Sequence, residues 1–175
     1  VLNAENRTCS PADLTWRAGV DVLSFGATKN GALGAEAVIL FRTDLAEEMS
    51  FRHKRAGQLA SKMRYISAQL AAYIEDGLWL RLADHANRMC NQLAEGLGAI
   101  DGVRLDVFGG ANELFVELPR ETVLALREES FEFYDWPETI APGADRRSTI
   151  RLVTRHDTSM AEVEGMIAAV ERLSG

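Results

Sequence analysis

A lysine flanked by small and hydroxyl-bearing residues is the part of the sequence best suited to chemistry. Lys29 follows an apolar run directly, within the stretch Ser24-Phe25-Gly26-Ala27-Thr28-Lys29-Asn30-Gly31. A lysine amine acts as a Schiff-base nucleophile when its surroundings lower its pKa. Glycine and alanine let a bulky group approach the backbone, and hydroxyls such as those of Ser24 and Thr28 can hydrogen-bond an anion. On spacing alone, an ordinary surface lysine remains the alternative.

A second cluster of charge is the basic run Arg52-His53-Lys54-Arg55. Such a run suits either a solvated helix end or a site for a small phosphate or carboxylate. The two cysteines, Cys9 and Cys90, lack the spacing of zinc ligands or of a redox pair. We therefore predict neither a metal site nor a disulfide.

The overall composition limits the class of protein. A chain of 175 residues with 47% hydrophobic and 26% charged residues predicts one folded domain, or two small ones, rather than disorder. The net charge of −7 argues against a nucleic-acid partner, because phosphate neutralisation needs a clustered excess of lysine and arginine. The longest apolar run, Ala37 to Phe41, is too short to cross a bilayer. We expect a cytoplasmic protein without a membrane partner.

The hydrophobic pattern predicts two different parts of the chain. After a short helix at 11–18, residues 20–25 and 37–41 predict two strands around a glycine-rich loop, the second strand buried on both faces. The helical pattern then begins at Asp44, and a long amphipathic helix carries a stripe from Leu59 to Ile74. From Leu78 onward the order is helix, two strands, helix, two strands, helix, which predicts a helical layer over an antiparallel sheet. We place the boundary between residues 1–77 and 78–175.

Four separated segments resemble the low-specificity L-threonine aldolases, which are pyridoxal-phosphate enzymes of the aspartate-aminotransferase-like fold (fold type I). The segments are SPADLTWRAG, VDVLSFGATKNGALGAEAVILF, AGQLASKMRYISAQLAAYIEDGLW and IRLVTRHDTS. They follow the family's order and resemble its pseudomonad-like branch over nearly the whole chain. The resemblance implies an α/β fragment of that fold: the tail of the large parallel-sheet cofactor domain, and an entire small α+β C-terminal domain.

The same resemblance implies roles for individual residues. Lys29 matches the lysine that forms a Schiff base with pyridoxal 5'-phosphate, and Ser24 and Thr28 are candidates for binding that cofactor. Arg151 matches the arginine that binds the substrate carboxylate. A guanidinium suits this role, because its planar fork pairs bidentately with a carboxylate.

Further basic residues fall near the family's active site. Lys54 and Arg55 lie where family members carry basic residues that reach a neighbouring subunit's cofactor, although the local pattern diverges. We include both as substrate-binding candidates, with Arg64 as a further basic residue. The resemblance also implies a homo-oligomer, a dimer or a tetramer.

The reaction implied is retro-aldol cleavage, which needs a base for the β-hydroxyl proton. The histidines of the chain are His53, His85 and His156, and the sequence assigns none of them as that base. His85 lies on an apolar helix stripe and is predicted to be structural. His156 lies just beyond the predicted Arg151 strand, where it can approach the site, although an ordinary loop histidine is the other interpretation.

The resemblance predicts cleavage of L-threonine or L-allo-threonine, and of related β-hydroxy-α-amino acids, to glycine and an aldehyde. Family members are longer, and their upstream half supplies a phosphate-binding loop, a stacking histidine and a DGAR-like segment. We therefore expect this chain alone to be inactive. Two alternatives stay open: another enzyme of the same fold, either a β-eliminating lyase or an aminotransferase, and a non-catalytic oligomerisation module that buries the stripe from Leu59 to Ile74.

Overall fold

The computed structural model describes residues 10–108, 111–136 and 147–175. The described residues form two compact units, one up to Leu82 and one from Ala83 onward. The helix Leu78–Gly98 contributes residues to both. The domain boundary predicted before Leu78 remains a prediction, and it lies close in sequence to the division between the units.

The first unit contains a two-stranded sheet and two α-helices. Strand β1 (Val22–Gly26) runs antiparallel to β2 (Glu36–Leu40), and Gly26 lies opposite Glu36. The α-helices are α1 (Ala46–Arg55) and α2 (Arg64–Ile74), followed by the first residues of α3 (Leu78–Gly98). Short 3₁₀ turns cover Trp16–Ala18, Thr28–Asn30, Thr43–Leu45 and Glu75–Gly77.

Some expectations for this unit are wrong in detail. The predicted helix at 11–18 is reduced to turns and the 3₁₀ segment Trp16–Ala18. The helical pattern after β2 is broken beyond α1, where Gly57 adopts a φ of +69° that a continuing helix does not allow. Strand β2 is not buried on both faces, since Val38 is 59% exposed, and β1 is the one described strand that pairs with it.

The core of the first unit lies under the loop between its strands. Ala27, Ala35 and Tyr73 are buried there, and Phe25 and Trp79 pack against them with ring centroids 5.4 Å apart. The small side chains of both alanines allow the loop backbone to approach α2 closely. This loop carries Lys29, so the core directly supports the candidate site.

The second unit is a helical layer over a four-stranded antiparallel sheet, as predicted. Its strand order is β3 (Arg104–Phe108), β4 (Glu113–Pro119), β6 (Arg147–Val153) and β5 (Tyr134–Asp135). The helices are the remainder of α3, α4 (Arg120–Glu128) and α5 (Met160–Ser174). Strand β5 is two residues long.

Buried and less buried side chains alternate along the two central strands, so one face of the sheet is buried. Leu114, Val116 and Leu118 of β4, with Ile150 and Leu152 of β6, join the helices in one hydrophobic core. Intervening residues therefore project from the opposite face, as the two-residue period of a strand requires. No helix in the described ranges is long and apolar enough to span a membrane.

Candidate functional site

Lys29 lies on a tight turn at the end of β1. Ala27, fully buried, precedes the 3₁₀ turn Thr28–Asn30, and Gly31 ends it with a φ of +113° that favours glycine. The amide of Ala27 donates to the carbonyl of Ala35 at 2.9 Å, and the amide of Asn30 donates to the carbonyl of Ala27 at 3.0 Å. The backbone around Lys29 is therefore fixed by hydrogen bonds and by burial of the preceding residue.

Two side chains fasten the same loop to its surroundings. Asn30 Nδ2 donates to Tyr73 Oη at 2.5 Å and to the carbonyl of Trp79 at 3.0 Å. Gln69 Oε1 accepts from the amides of Leu33 at 3.0 Å and Gly34 at 3.3 Å. Burial raises the pKa of the Tyr73 phenol, so its hydroxyl stays protonated at neutral pH. Sequence reasoning missed Asn30 and Gln69, and only the position of Asn30 beside Lys29 gave any signal.

The Lys29 side chain itself is exposed and available. Within the described ranges, its amine makes no hydrogen bond and no ion pair. Thr28 Oγ1 accepts from the amide of Ala35 at 3.1 Å, so that hydroxyl is used to close the loop. Ser24 is exposed on β1. A free primary amine on a fixed loop of small residues fits the aldehyde group of pyridoxal phosphate, and Lys29 is the residue that would hold it.

An open groove of about 860 Å³ lies beside the loop in the same unit. Ser24 and Thr28 line it together with Glu36, Arg52 and His53. Arg52 is paired with Glu48 at 2.7 Å. The structure thus brings two predicted cofactor-binding residues to one groove with the end of α1.

Lys54 and Arg55 do not line this groove. Both are exposed in the last turn of α1, and neither side chain is ion-paired with a residue that the structure describes. Arg64, at the start of α2, places its guanidinium 4.7 Å from the ring centroid of Tyr65. The substrate-binding role of Lys54 and Arg55 stays a prediction.

Arg151 lies in the second unit, on the exposed face of the sheet. It is opposite Phe115 of β4 and Tyr134 of β5, in the middle of β6. Its Nε donates to the Glu113 carboxylate, and each of these two side chains is 37% exposed. No described residue hydrogen-bonds to the two terminal nitrogens of Arg151, Nη1 and Nη2. That free edge has the geometry that binds a carboxylate through two parallel hydrogen bonds.

A second arginine on the same strand is arranged differently. Arg147 also forms an ion pair with a β4 carboxylate, that of Glu117. Its Nη2 donates in addition to the carbonyls of Gly102 at 2.6 Å and Glu117 at 2.9 Å. The Nε and Nη2 donors of Arg147 are therefore used in structural hydrogen bonds, whereas neither terminal nitrogen of Arg151 has a partner among the described residues.

Two histidines belong to the second unit. His85 Nε2 lies 2.8 Å from the carbonyl oxygen of Thr158, so the imidazole donates and joins α3 to the loop after β6, as expected of a structural histidine. His156 is half-buried in that loop, and its Nδ1 has no partner among the described residues. No group of three or more potential metal ligands occurs in the described part of the chain.

Comparison with known proteins gives matches at the level of sequence and of fold. The low-specificity L-threonine aldolase of Pseudomonas aeruginosa is 49% identical over 126 residues, 72% of this chain and 36% of that protein. The corresponding protein of another Pseudomonas species is 41% identical over 162 residues, 93% of this chain and 44% of that protein. No protein-family model matches the sequence.

Solved structures agree with these relatives. A threonine aldolase from Leishmania major superposes with a TM-score of 0.79 at 29% identity, covering 89% of this chain and 44% of that one. A serine palmitoyltransferase from Sphingomonas wittichii shares the fold with a TM-score of 0.58 at 13% identity, covering 89% of this chain and 40% of that one. The expected fold class, a fragment of the pyridoxal-phosphate-dependent fold type I, is confirmed.

The matches cover a large share of this chain and a smaller share of each relative. The sequence comparisons span most of this chain but 36% and 44% of the two Pseudomonas relatives. The resemblance inferred from the four segments is confirmed: over most of its own length the chain is similar to proteins named low-specificity L-threonine aldolase, and it spans less than half of theirs.

Proposed function

We propose that the protein to which this chain belongs is a pyridoxal-phosphate-dependent aldolase. It cleaves L-threonine, L-allo-threonine and related β-hydroxy-α-amino acids between Cα and Cβ, giving glycine and an aldehyde. The observation that carries the proposal is the unpaired amine of Lys29, held on a fixed loop within the segment that resembles the family's cofactor-lysine segment. The similarity to proteins named threonine aldolases supports the choice of reaction.

Each candidate side chain has a task that its environment supports. When bound, the cofactor supplies an electron sink for the bond that breaks at Cα. Lys29 holds the cofactor through its amine, and Ser24 offers a free hydroxyl on the adjoining strand. Thr28 acts through the loop, because its hydroxyl closes the turn against Ala35.

Arg151 selects the bond that breaks. Its Nη1 and Nη2 would hold the substrate carboxylate and so fix the orientation of the amino acid, on which the choice of the Cα bond depends. Lys54 and Arg55 add positive charge for an anionic substrate or cofactor. We also propose that the protein is a homo-oligomer in the cytoplasm, as the family resemblance and the composition suggest.

The structure argues against the stripe from Leu59 to Ile74 as a free oligomerisation surface. Ile66 and Leu70 pack against the buried cluster of Ala27, Ala35 and Tyr73 within the same unit. The middle of the stripe is therefore already covered, and only its ends are exposed: Leu59 at 55% and Ile74 at 53%.

The test uses the full-length protein loaded with its cofactor. Incubation with L-threonine should release acetaldehyde and glycine, whereas release of ammonia and a keto acid would reject the aldolase in favour of an eliminating lyase. Borohydride reduction should leave the pyridoxyl label on the peptide containing Lys29.

Two lysine variants provide the matched comparison. Lys29→Ala should abolish both the label and the cleavage, while Lys62→Ala, which removes another exposed lysine of the same unit, should alter neither. A pyridoxyl label retained by Lys29→Ala would overturn the assignment of the cofactor lysine.

A further inference from the structure

We propose that Glu113 is a positioning residue for Arg151, holding one edge of the guanidinium so that the other edge binds the carboxylate of the amino-acid substrate. The inference rests on the carboxylate-binding role of Arg151 given under the proposed function. It adds a residue that the sequence did not single out, and it explains why Arg151 is pre-oriented before a substrate arrives.

The register of the sheet brings the two side chains together. Arg151 lies opposite Phe115, and Glu113 lies opposite Val153. Arg151 and Glu113 are therefore diagonal neighbours on one face of an antiparallel pair, a spacing that long side chains can bridge. Because both strands are central and paired along their length, the Glu113 carboxylate has a fixed base from which to hold Arg151.

The contact is made by only one part of the guanidinium. Glu113 accepts from Nε, and no described residue hydrogen-bonds to Nη1 or Nη2 of Arg151. A guanidinium presents its donors in one plane, so fixing Nε also fixes the direction of the terminal pair. An incoming carboxylate then meets two parallel donors whose orientation has already been set.

The Arg147–Glu117 pair shows that an ion pair on these strands does not by itself create such an edge. The two pairs lie on the same two strands and on the same face. In Arg147 the terminal Nη2 is taken up by two main-chain carbonyls. Glu117 therefore supports a closed structural contact, and it is a matched control for Glu113.

Orientation, rather than charge, is the main contribution of Glu113. Both Arg151 and Glu113 are 37% exposed, so solvent screens their mutual attraction and also the repulsion between the Glu113 carboxylate and an incoming substrate carboxylate. Holding a long side chain in place removes part of the ordering cost that substrate binding otherwise carries. Loss of the acceptor at Nε should therefore weaken binding of ligands that carry a carboxylate.

The experiment compares variants of the full-length holoenzyme. Glu113→Ala should raise the KM for L-threonine about five- to tenfold, with a smaller change in kcat, because an arginine with free rotamers must be ordered by the substrate. Glu113→Gln keeps an oxygen acceptor for Nε and should restore KM to within about threefold of the original value. Glu117→Ala should leave KM unchanged.

A second measurement isolates the carboxylate. Binding of glycine and of methylamine, which lacks the carboxylate, is followed through the absorption spectrum of the bound cofactor. Glu113→Ala should weaken glycine binding and leave methylamine binding unchanged, an outcome that a general loss of structure does not produce. Equal weakening of both ligands, or a KM unchanged from the original, would overturn the role of Glu113.

Failure of the proposal is distinguishable from failure of the proposed function. One outcome is that Arg151→Lys weakens the binding of glycine but not of methylamine, whereas Glu113→Ala weakens the binding of neither ligand. Arg151 then keeps its role, and the role of Glu113 is rejected. If Arg151→Lys affects the two ligands equally, the carboxylate-binding role of Arg151 is rejected. Should Glu113→Ala fail to fold, Glu113→Asp retracts the acceptor by one methylene, and an unchanged KM in that variant would equally reject the proposal.

Discussion

Replacing Gly96 with alanine should destabilise the second unit, although it places a better helix former inside a helix. Gly96 lies in α3 against α5, and a Cβ added to it would lie 2.3 Å from Ile167 Cδ1 and 2.9 Å from Ile167 Cγ1. Both distances are far below van der Waals contact. Because Cγ1 is not the far end of the side chain, Ile167 must shift as a whole.

The magnitude follows from two opposing contributions. A glycine-to-alanine change inside a helix gains about 1 kcal/mol, and overpacking a core contact costs about 1–3 kcal/mol. Gly165, in α5, isolates the first contribution, because no atom lies within 4 Å of its added Cβ. Gly165→Ala should therefore stabilise the protein, and its unfolding free energy should exceed that of Gly96→Ala by about 1–3 kcal/mol.

Thermal unfolding of the full-length protein measures both variants. Gly96→Ala should melt at a lower temperature than Gly165→Ala and no higher than the original protein. Ile167→Val removes Cδ1, the nearest atom, so it should cost less in the Gly96→Ala background than in the original sequence. Equal stabilisation by both glycine substitutions, or an Ile167→Val cost that is independent of residue 96, would refute the reasoning.

Three further outcomes are expected from perturbations elsewhere in the chain. Asn30→Ala should lower the unfolding free energy by about 1–3 kcal/mol in chemical denaturation, because the hydroxyl of buried Tyr73 loses its donor; an unchanged midpoint would contradict this. Ser159→Ala should cost about 1 kcal/mol by removing the α5 cap. Hydrogen bonds from the Ser159 amide and hydroxyl lower the pKa of Glu162 from its ordinary value of 4.5, so their contribution is present above that value and is lost as the pH falls through the lowered pKa. The difference in melting temperature between Ser159→Ala and the original protein should accordingly shrink on acidification by the part that the hydroxyl–carboxylate bond supplies, and a constant difference would show that this bond does not contribute. Burial raises the pKa of Cys90 to about 11; its peptide should stay unmodified by iodoacetamide at about pH 8 until the protein unfolds, and rapid labelling of the folded protein would show that the thiol is accessible.

The second unit could be predicted well because its local signals agree with one another. Buried Leu114, Val116 and Leu118 alternate with less buried residues along β4, and Ser159 caps α5 in a capping box that Glu162 completes. A period of two and a helix-start signal each specify one structure. The layer of helices over an antiparallel sheet follows from such elements, since each must bury its apolar side.

The first unit was less predictable because its features depend on contacts distant in sequence. The stripe around Leu70 suggested one long helix, yet Gly57 adopts a left-handed conformation and a separate α2 follows. Strand β2 has the apolar run of a fully covered strand, but its Val38 is 59% exposed. Glu113 was missed for a similar reason, because its pairing with Arg151 is a consequence of strand register.

The two principal candidate residues share an arrangement that the sequence does not show. A side chain that must bind a ligand has to keep its polar atoms available, so its position must be set through other atoms. For Lys29 those atoms belong to the backbone and to neighbouring Asn30; for Arg151 the atom is Nε, held by Glu113. Arg147 also forms an ion pair, but its Nη2 donates to two main-chain carbonyls. Residue type and spacing do not distinguish Arg147 from Arg151. The difference is that the terminal nitrogens of Arg151 have no hydrogen-bond partner among the described residues.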